Sequence, residues 1–253
     1  MIQDYIRVKT KDEVVGLLEK GYTILGGGTY LSRNQEDVLG LIDIQELGLN
    51  KIIPIEDDLV IDSYCTFTEI LDNPNVWDSL KDVILQESKI NSRNMTTIAG
   101  HLLVADGFSN ILGWLVCADA TIHYYPDKNP YPNKIPEINS LFKSKETFNS
   151  FIDSINIPIN TCIVWEVISR TPDDFPLVGV FYNKKTDCSI IALTGFCNKV
   201  LLFKFNDDLK IYEDFETQLL IAHSQYSNRF ISFDYYLKTS TLVLKRLLEK
   251  GKK

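Results

Sequence analysis

The fold prediction starts from residues 24–31, which read Ile24-Leu25-Gly26-Gly27-Gly28-Thr29-Tyr30-Leu31. Three successive glycines follow a short β-rich run that begins at Tyr22 and predicts a strand. Glycine permits positive φ and lets backbone amides come close to an anion, and Thr29 adds a hydroxyl donor. The stretch therefore predicts a cradle for a diphosphate group, and a flexible surface turn is the alternative interpretation.

Two common nucleotide-binding motifs are excluded at this stretch. A P-loop requires Gly-Lys-Ser/Thr, which does not follow the glycines. The dinucleotide fingerprint GxGxxG requires a glycine at position 31, where Leu31 stands. Any diphosphate cradle here is of another kind.

A second polar stretch, residues 92–101, is rich in hydroxyl and small side chains. It reads Ser92-Arg93-Asn94-Met95-Thr96-Thr97-Ile98-Ala99-Gly100-His101. It is followed closely by Ala105-Asp106-Gly107-Phe108-Ser109-Asn110. Dense hydroxyls and accessible amides can surround a phosphate and a ribose. An ordinary polar loop before a buried helix is the alternative.

Hydrophobic periodicity predicts a chain that mixes helices and strands. A helix is expected to begin at Thr10 or Asp12, and another at Thr66 or Thr68. Further helices are predicted at 76–86, 111–118, 145–152 and 233–250. Strands are predicted at 5–8, 22–25, 38–44, 120–125 and 162–168, a hairpin at 51–62, a surface excursion at 126–139, and an antiparallel sheet from 176–182, 189–193 and 199–205.

Length and charge limit the class of protein. The chain has 253 residues, which corresponds to between one and two domains. Lys and Arg number 26 and Asp and Glu 34, so the formal charge is −8. That balance excludes broad electrostatic binding to nucleic acid or to an anionic membrane. No signal peptide or membrane span is predicted, so we expect a cytoplasmic protein.

Five cysteines are spread through the sequence without a CxxC pair or a Cys/His cluster. The chain therefore offers neither a zinc site nor an iron–sulfur site of its own. Free thiols in a reducing compartment are the prediction.

Together these stretches resemble one family. Residues 25–31 are similar to the AGGTDL signature of the flavin subunits of molybdenum hydroxylases, the xanthine dehydrogenase and carbon monoxide dehydrogenase group. Residues 93–101 resemble the RNxxTIGGN signature of that family, and 169–174 resemble its SR..DD stretch. Shorter similarities at 41–44, 61–66, 117–120 and 232–248 extend the resemblance over nearly the whole chain.

The resemblance implies an α+β fold. A two-subdomain FAD-binding fold of the PCMH/vanillyl-alcohol oxidase-like type would be followed by a C-terminal antiparallel sheet with helices. The implied domains are 1–160, with subdomains of about 1–55 and 56–160, and 161–253.

The resemblance also implies the FAD-binding residues. In the first signature they are Leu25, Gly26, Gly27, Gly28, Thr29, Tyr30 and Leu31, which would face the diphosphate. In and after the second signature they are Thr97, Gly100, His101, Ser109 and Asn110. Arg170 and Asp173 would lie in a loop near the isoalloxazine. No catalytic acid, base or nucleophile and no metal ligand is predicted in this chain.

The implied function is that of an FAD-binding subunit of a xanthine dehydrogenase-like molybdenum hydroxylase. Electrons would arrive from [2Fe–2S] clusters on an iron–sulfur subunit and leave from FAD to NAD or another acceptor. Hydroxylation would occur on a molybdopterin-binding subunit. The chain would thus be one part of a complex.

Several residues differ from the family signatures. Tyr30 replaces an Asp, Ala99 a Gly, His101 an Asn and Asn110 an Asp. These changes motivate an alternative, a flavin-free scaffold subunit of such a complex. A free-standing flavin reductase resembling the cell-wall precursor reductase is a further alternative.

Overall fold

The computed structural model of the chain describes residues 4–28, 38–127, 135, 150–172, 174–206 and 211–250, without the side chains of Tyr212 and Glu213. The chain divides into two compact units. Unit 1 comprises Met1–Val76, Ser88–Val104 and Thr121–Ile157, and unit 2 comprises Trp77–Glu87, Ala105–Ala120 and Pro158–Lys253. The predicted domain boundary after residue 160 stays a prediction.

The described residues form eleven strands and eight α-helices. The strands are β1 (Asp4–Arg7), β2 (Thr23–Leu25), β3 (Gly40–Asp43), β4 (Ile52–Ile55), β5 (Asp58–Asp62), β6 (Thr121–Tyr125), β7 (Phe151–Pro158), β8 (Ile163–Ile168), β9 (Val178–Lys184), β10 (Ser189–Thr194) and β11 (Leu201–Phe205). The helices are α1 (Lys11–Leu18), α2 (Phe67–Asp72), α3 (Asp78–Glu87), α4 (Ile90–Arg93), α5 (Ile98–Val104), α6 (Asn110–Cys117), α7 (Ile211–Ile221) and α8 (Phe233–Lys250). Short 3-10 helices cover Gln45–Leu47 and Ala222–Gln225.

Unit 1 begins with a parallel sheet whose strand order is β1-β3-β2. Helix α1 connects β1 to β2, and Thr10 caps it in a capping box with Glu13. The sheet and helix enclose a small apolar core that includes Val8, Val14 and Ile42. This arrangement leaves the carboxyl end of β2 to carry the glycine stretch.

A second sheet of unit 1 has the order β4-β5-β7-β6. Strands β4 and β5 pair antiparallel, which confirms the predicted hairpin. Helix α2 begins after Thr66, whose hydroxyl accepts from the Glu69 amide while the Glu69 carboxylate accepts from the Thr66 amide. Of the two predicted starts, Thr66 is therefore correct.

Unit 2 contains an antiparallel sheet with the order β11-β10-β9-β8. Helices α7 and α8 contribute Phe215, Leu219, Tyr236 and Leu244 to its main apolar core. Helix α6 packs against strands β9 and β10, and a Cβ on Gly113 would lie 2.7 Å from the Phe181 ring. The predicted C-terminal antiparallel sheet with helices is confirmed.

One predicted element differs from the structure where the two can be compared. Phe151 and Ile152 lie in strand β7, although the sequence predicts that they end a helix over 145–152. Their pairing with Tyr125 and Tyr124 of β6, within a run of β-branched isoleucines, favours the strand. Residues 145–149 lie outside the described residues. Most of the predicted excursion at 126–139 also lies outside the described residues.

Helix α7 has no counterpart in the prediction. Its residues Ile211, Phe215 and Leu219 recur every four positions, and all three are fully buried. The helical period was therefore present in the sequence.

The helices that the structure describes are all too short or too polar to span a membrane.

Candidate functional site

The glycine loop, residues 26–28, follows directly on β2 in unit 1. Gly28 has a φ of +76°, a conformation that residues with a Cβ adopt rarely. A Cβ on Gly27 would lie 1.3 Å from the backbone oxygen of Met95. No side chain fits there, so the close approach of two backbone segments requires glycine.

The segment that meets the glycine loop, residues 95–97, is here called the second loop. The Phe67 amide donates to the Thr96 carbonyl at 3.0 Å, and the Ile98 amide donates to the Cys65 carbonyl at 2.9 Å. Thr66 and Thr97 form an antiparallel bridge. The second loop is thus held by backbone hydrogen bonds to the segment before α2.

Thr97 links the two loops. It is 3% exposed, and its Oγ1 accepts a hydrogen bond from the Gly100 amide at 3.2 Å. Cβ atoms on Gly26 and Gly100 would lie 3.1 Å and 2.8 Å from the same oxygen. The structure therefore brings Gly26 and Gly27 together with Thr97 and Gly100, which follow them by some 70 residues in the sequence.

Other residues of the two signatures lie beside this site. Leu25 is the last residue of β2, and His101 in α5 packs its ring edge-on against Phe67 with centroids 5.3 Å apart. Arg93 donates from Nη2 to the Ser88 carbonyl at 2.7 Å, so its guanidinium is used to hold the chain before α5. Thr29, Tyr30 and Leu31 lie outside the described residues.

Ser109 and Asn110 lie in unit 2, at the start of α6. Ser109 is the N-cap of that helix, and its Oγ accepts from the Leu112 amide at 3.1 Å. Asn110 is 4% exposed, and its Oδ1 accepts from the Thr194 hydroxyl at 3.1 Å. Both side chains therefore have partners within unit 2, and their predicted contact with FAD stays a prediction.

Arg170 also lies in unit 2, two residues after the end of β8. Its Nε is 3.3 Å from Oδ2 of Asp174, and its guanidinium carbon is 4.4 Å from the centroid of the Phe230 ring. An exposed cation is thus held over an exposed aromatic ring. Asp173 lies outside the described residues.

Sequence reasoning missed one polar cluster at the same end of the parallel sheet. Asp43, the last residue of β3, is fully buried and accepts hydrogen bonds from Tyr5 Oη, from Arg7 Nε at 2.7 Å and from the Gln45 amide at 3.0 Å. Burial alone would raise the pKa of Asp43, but these three donors together lower it. The alternation of Tyr5 and Arg7 on one face of β1 was the available signal.

Among the residues that the structure describes, no group of three or more His, Cys, Asp or Glu side chains is placed to hold a metal ion.

Comparison with known proteins identifies a family. Residues 1–160 match the model of the "FAD binding domain in molybdopterin dehydrogenase". That range contains both loops and the parallel sheet. No curated protein matches the chain.

Solved structures match over nearly the whole chain. Quinoline 2-oxidoreductase from Pseudomonas putida 86 aligns with a TM-score of 0.78 at 17% identity, over 99% of this chain and 96% of that chain. Carbon monoxide dehydrogenase from Hydrogenophaga pseudoflava, in a form that lacks the Mo-pyranopterin moiety, aligns with a TM-score of 0.75 at 18% identity, over 98% and 96%. Reconstituted CO dehydrogenase from Oligotropha carboxidovorans gives 0.74 at 17%, over 98% and 96%. At these identities the matches show the fold, and they confirm the predicted fold class.

Proposed function

Since the chain belongs to the family of FAD-binding domains of molybdopterin dehydrogenases, we propose that it is the flavin subunit of a xanthine dehydrogenase-type molybdenum hydroxylase. The observation that carries the proposal is the packing of the glycine loop against the second loop, because that contact joins the two signatures in one place. The family match covers both loops.

The residues present fit FAD. In the part of the chain that the structure describes, the backbone hydrogen bonds of turns and loops use no amide of residues 26–28. Positive φ at Gly28 and the lack of side chains let a diphosphate approach the backbone closely. The residues that would hold it are those of the glycine loop, with Thr97, Gly100 and His101 continuing toward the ribose.

FAD, when bound, supplies the redox chemistry. The chain's own residues bind and orient it. We propose that electrons come from [2Fe–2S] clusters of an iron–sulfur subunit and are taken up by NAD or another acceptor. The hydroxylation would belong to a molybdopterin-binding subunit.

Arg170 supports a place for the acceptor within this proposal. Its guanidinium is held between Asp174 and Phe230 and stays half-exposed. A cation and an aromatic ring held together suit a planar, negatively charged molecule such as a dinucleotide. A cytoplasmic location stays a prediction.

The test begins with the purified full chain. We expect a yellow protein with flavin absorption bands in the visible, and release of FAD on denaturation. A folded but colourless protein that takes up no added FAD would contradict the proposal.

Co-purification tests the complex. A tagged chain expressed with its neighbouring genes should retain an iron–sulfur and a molybdopterin subunit. Recovery of both partners with no flavin in the complex would instead support the scaffold alternative. Turnover of NADPH by the isolated chain on a small carbonyl or enol substrate would support the reductase alternative.

A further inference from the structure

A buried carboxylate stands at the edge of the parallel sheet from which the glycine loop leaves. Asp43 ends the central strand β3, and its backbone register places it opposite Arg7 of β1 and Leu25 of β2. All three strands run parallel, so their last residues form one row. The glycine loop begins one residue after Leu25.

The carboxylate of Asp43 is fixed from several sides. Tyr5 and Arg7 donate to it from β1, and the Gln45 amide donates from the turn that follows β3. The backbone of the same residue is also bound, because the Val8 amide donates to the Asp43 carbonyl at 3.1 Å. A buried carboxylate is costly unless it is paired in this way. The cluster therefore ties the ends of β1 and β3 together.

Three glycines in succession have no side chains to fix their own conformation. Their position must be imposed by neighbours. On one side the Met95 carbonyl lies against Gly27. On the other side the loop is attached to the row of strand ends that Asp43 organises.

We infer that Asp43 is a positioning residue for FAD binding, an inference that rests on the proposed function. It acts through the strand row and Leu25, which hold the amides of residues 26–28 where a diphosphate meets them. It does not itself touch the cofactor.

Asp4 provides a matched control in the same sheet. It also accepts a hydrogen bond from a tyrosine, with Tyr22 Oη 2.8 Å from its Oδ2. It begins β1 opposite Gly40, so it lies at the other end of the sheet from the glycine loop. Asp4→Asn therefore makes the same chemical change at the end of the sheet that is remote from the glycine loop.

The experiment measures FAD dissociation constants by flavin fluorescence on the purified full chain. Asp43→Asn should weaken FAD binding by about tenfold to a hundredfold, since hydrogen bonds to a charged group are lost. Asp4→Asn should change it by less than about twofold. Near-UV circular dichroism of the apo proteins checks that each variant is folded.

A double-mutant cycle separates positioning from general loss of stability. Arg7→Gln alone should weaken FAD binding, but adding it to Asp43→Asn should weaken binding further by less than about twofold, because the two residues act as one unit. The circular dichroism of the bound flavin should change in the Asp43 variant and not in the Asp4 variant.

The outcomes are distinct. If the natural chain binds FAD and Asp43→Asn binds it equally well, or if Asp4→Asn loses as much, the inference is overturned. If the natural chain binds no FAD, the proposed function itself fails. Should Asp43→Asn not fold, Tyr5→Phe removes one donor and keeps the charge pair. It is expected to weaken FAD about threefold or more, and unchanged affinity there overturns the inference too.

Discussion

The α-carbon of Gly27 faces the backbone oxygen of Met95 so closely that a Cβ would lie 1.3 Å from it. At this point two loops that are remote in sequence touch through main-chain atoms. The contact makes the shape of the candidate FAD site depend on the absence of one methyl group.

Gly27→Ala should disrupt this contact. One loop must move, which we expect to destabilise the protein by about 1–3 kcal/mol as overpacking does. FAD binding should weaken by more than the change in stability explains, because the displaced amides no longer face the diphosphate. Urea unfolding of the apo protein and FAD titration measure the two effects separately.

Gly16→Ala is the matched control for that change. Gly16 lies inside α1, and a Cβ there would have nothing within 4 Å. The substitution should leave FAD affinity unchanged and stabilise the protein by about 0.5–1 kcal/mol through helix propensity. Equal effects of both substitutions on FAD affinity would contradict the loop contact.

Much of this arrangement could be predicted, because it depends on local rules. The start of α1 follows from local residue types, since Thr10, one of the two predicted starts, caps the helix. The contact of Gly27 with Met95 could not be derived, since it depends on how α2 and the parallel sheet pack. Likewise, the burial of Asp43 and its hydrogen-bond partners could not be predicted from the sequence, because they depend on the pairing of β3 with β1.

The turn after α6 holds a residue in an unusual conformation. Asp119 has a φ of +61°, at a helix C-terminus where glycine is common. Its carboxylate lies 2.9 Å from Lys204 Nζ and 3.5 Å from Lys185 Nζ. Asp119→Gly removes both ion pairs but relieves the backbone strain, so its stability should stay within about 1 kcal/mol of the natural protein.

Asp119→Ala removes the ion pairs and keeps the strain. It should be less stable than Asp119→Gly by about 1 kcal/mol. Urea unfolding of the two variants gives the difference directly. Identical midpoints would mean that the left-handed conformation costs nothing at this position.

The five thiols should react with a disulfide reagent at very different rates. Cys162 is exposed and Cys188 half-buried, whereas Cys65, Cys117 and Cys197 are buried. Burial raises the pKa of Cys65 to about 12, and it raises the pKa of Cys117 as well, so neither forms thiolate near neutral pH. We expect one fast phase, one slower phase and three thiols that react only on unfolding.

Cys162→Ser identifies the fast phase. The variant should lose that phase and keep the others, as followed by absorbance of the released thiolate. A fast phase that persists in Cys162→Ser would contradict the described exposure.

Asp62 and Asp43 of unit 1 should contribute to the free energy of unfolding with opposite dependences on pH. Burial, together with the charge of Asp153, raises the pKa of Asp62 against the hydrogen bond from the Lys51 amide. The stability that protonated Asp62 contributes is present below its unfolded pKa of about 4 and is lost as the pH rises through the folded pKa. Asp62→Asn should therefore be more stable than the natural protein at pH 7 and equal to it near pH 4.

Asp43 should behave in the opposite way. Its pKa is lowered by its donors despite burial, so its contribution is present above the unfolded pKa of about 4 and is lost as the pH falls through the folded pKa. Asp43→Asn should be less stable than the natural protein at pH 7, and the difference should shrink below pH 4. Urea midpoints of both variants across this range test the signs together. The same pH dependence in both variants would contradict the assignment, because the Asp43 carboxylate is lowered in pKa beside the Arg7 guanidinium whereas burial raises the pKa of Asp62.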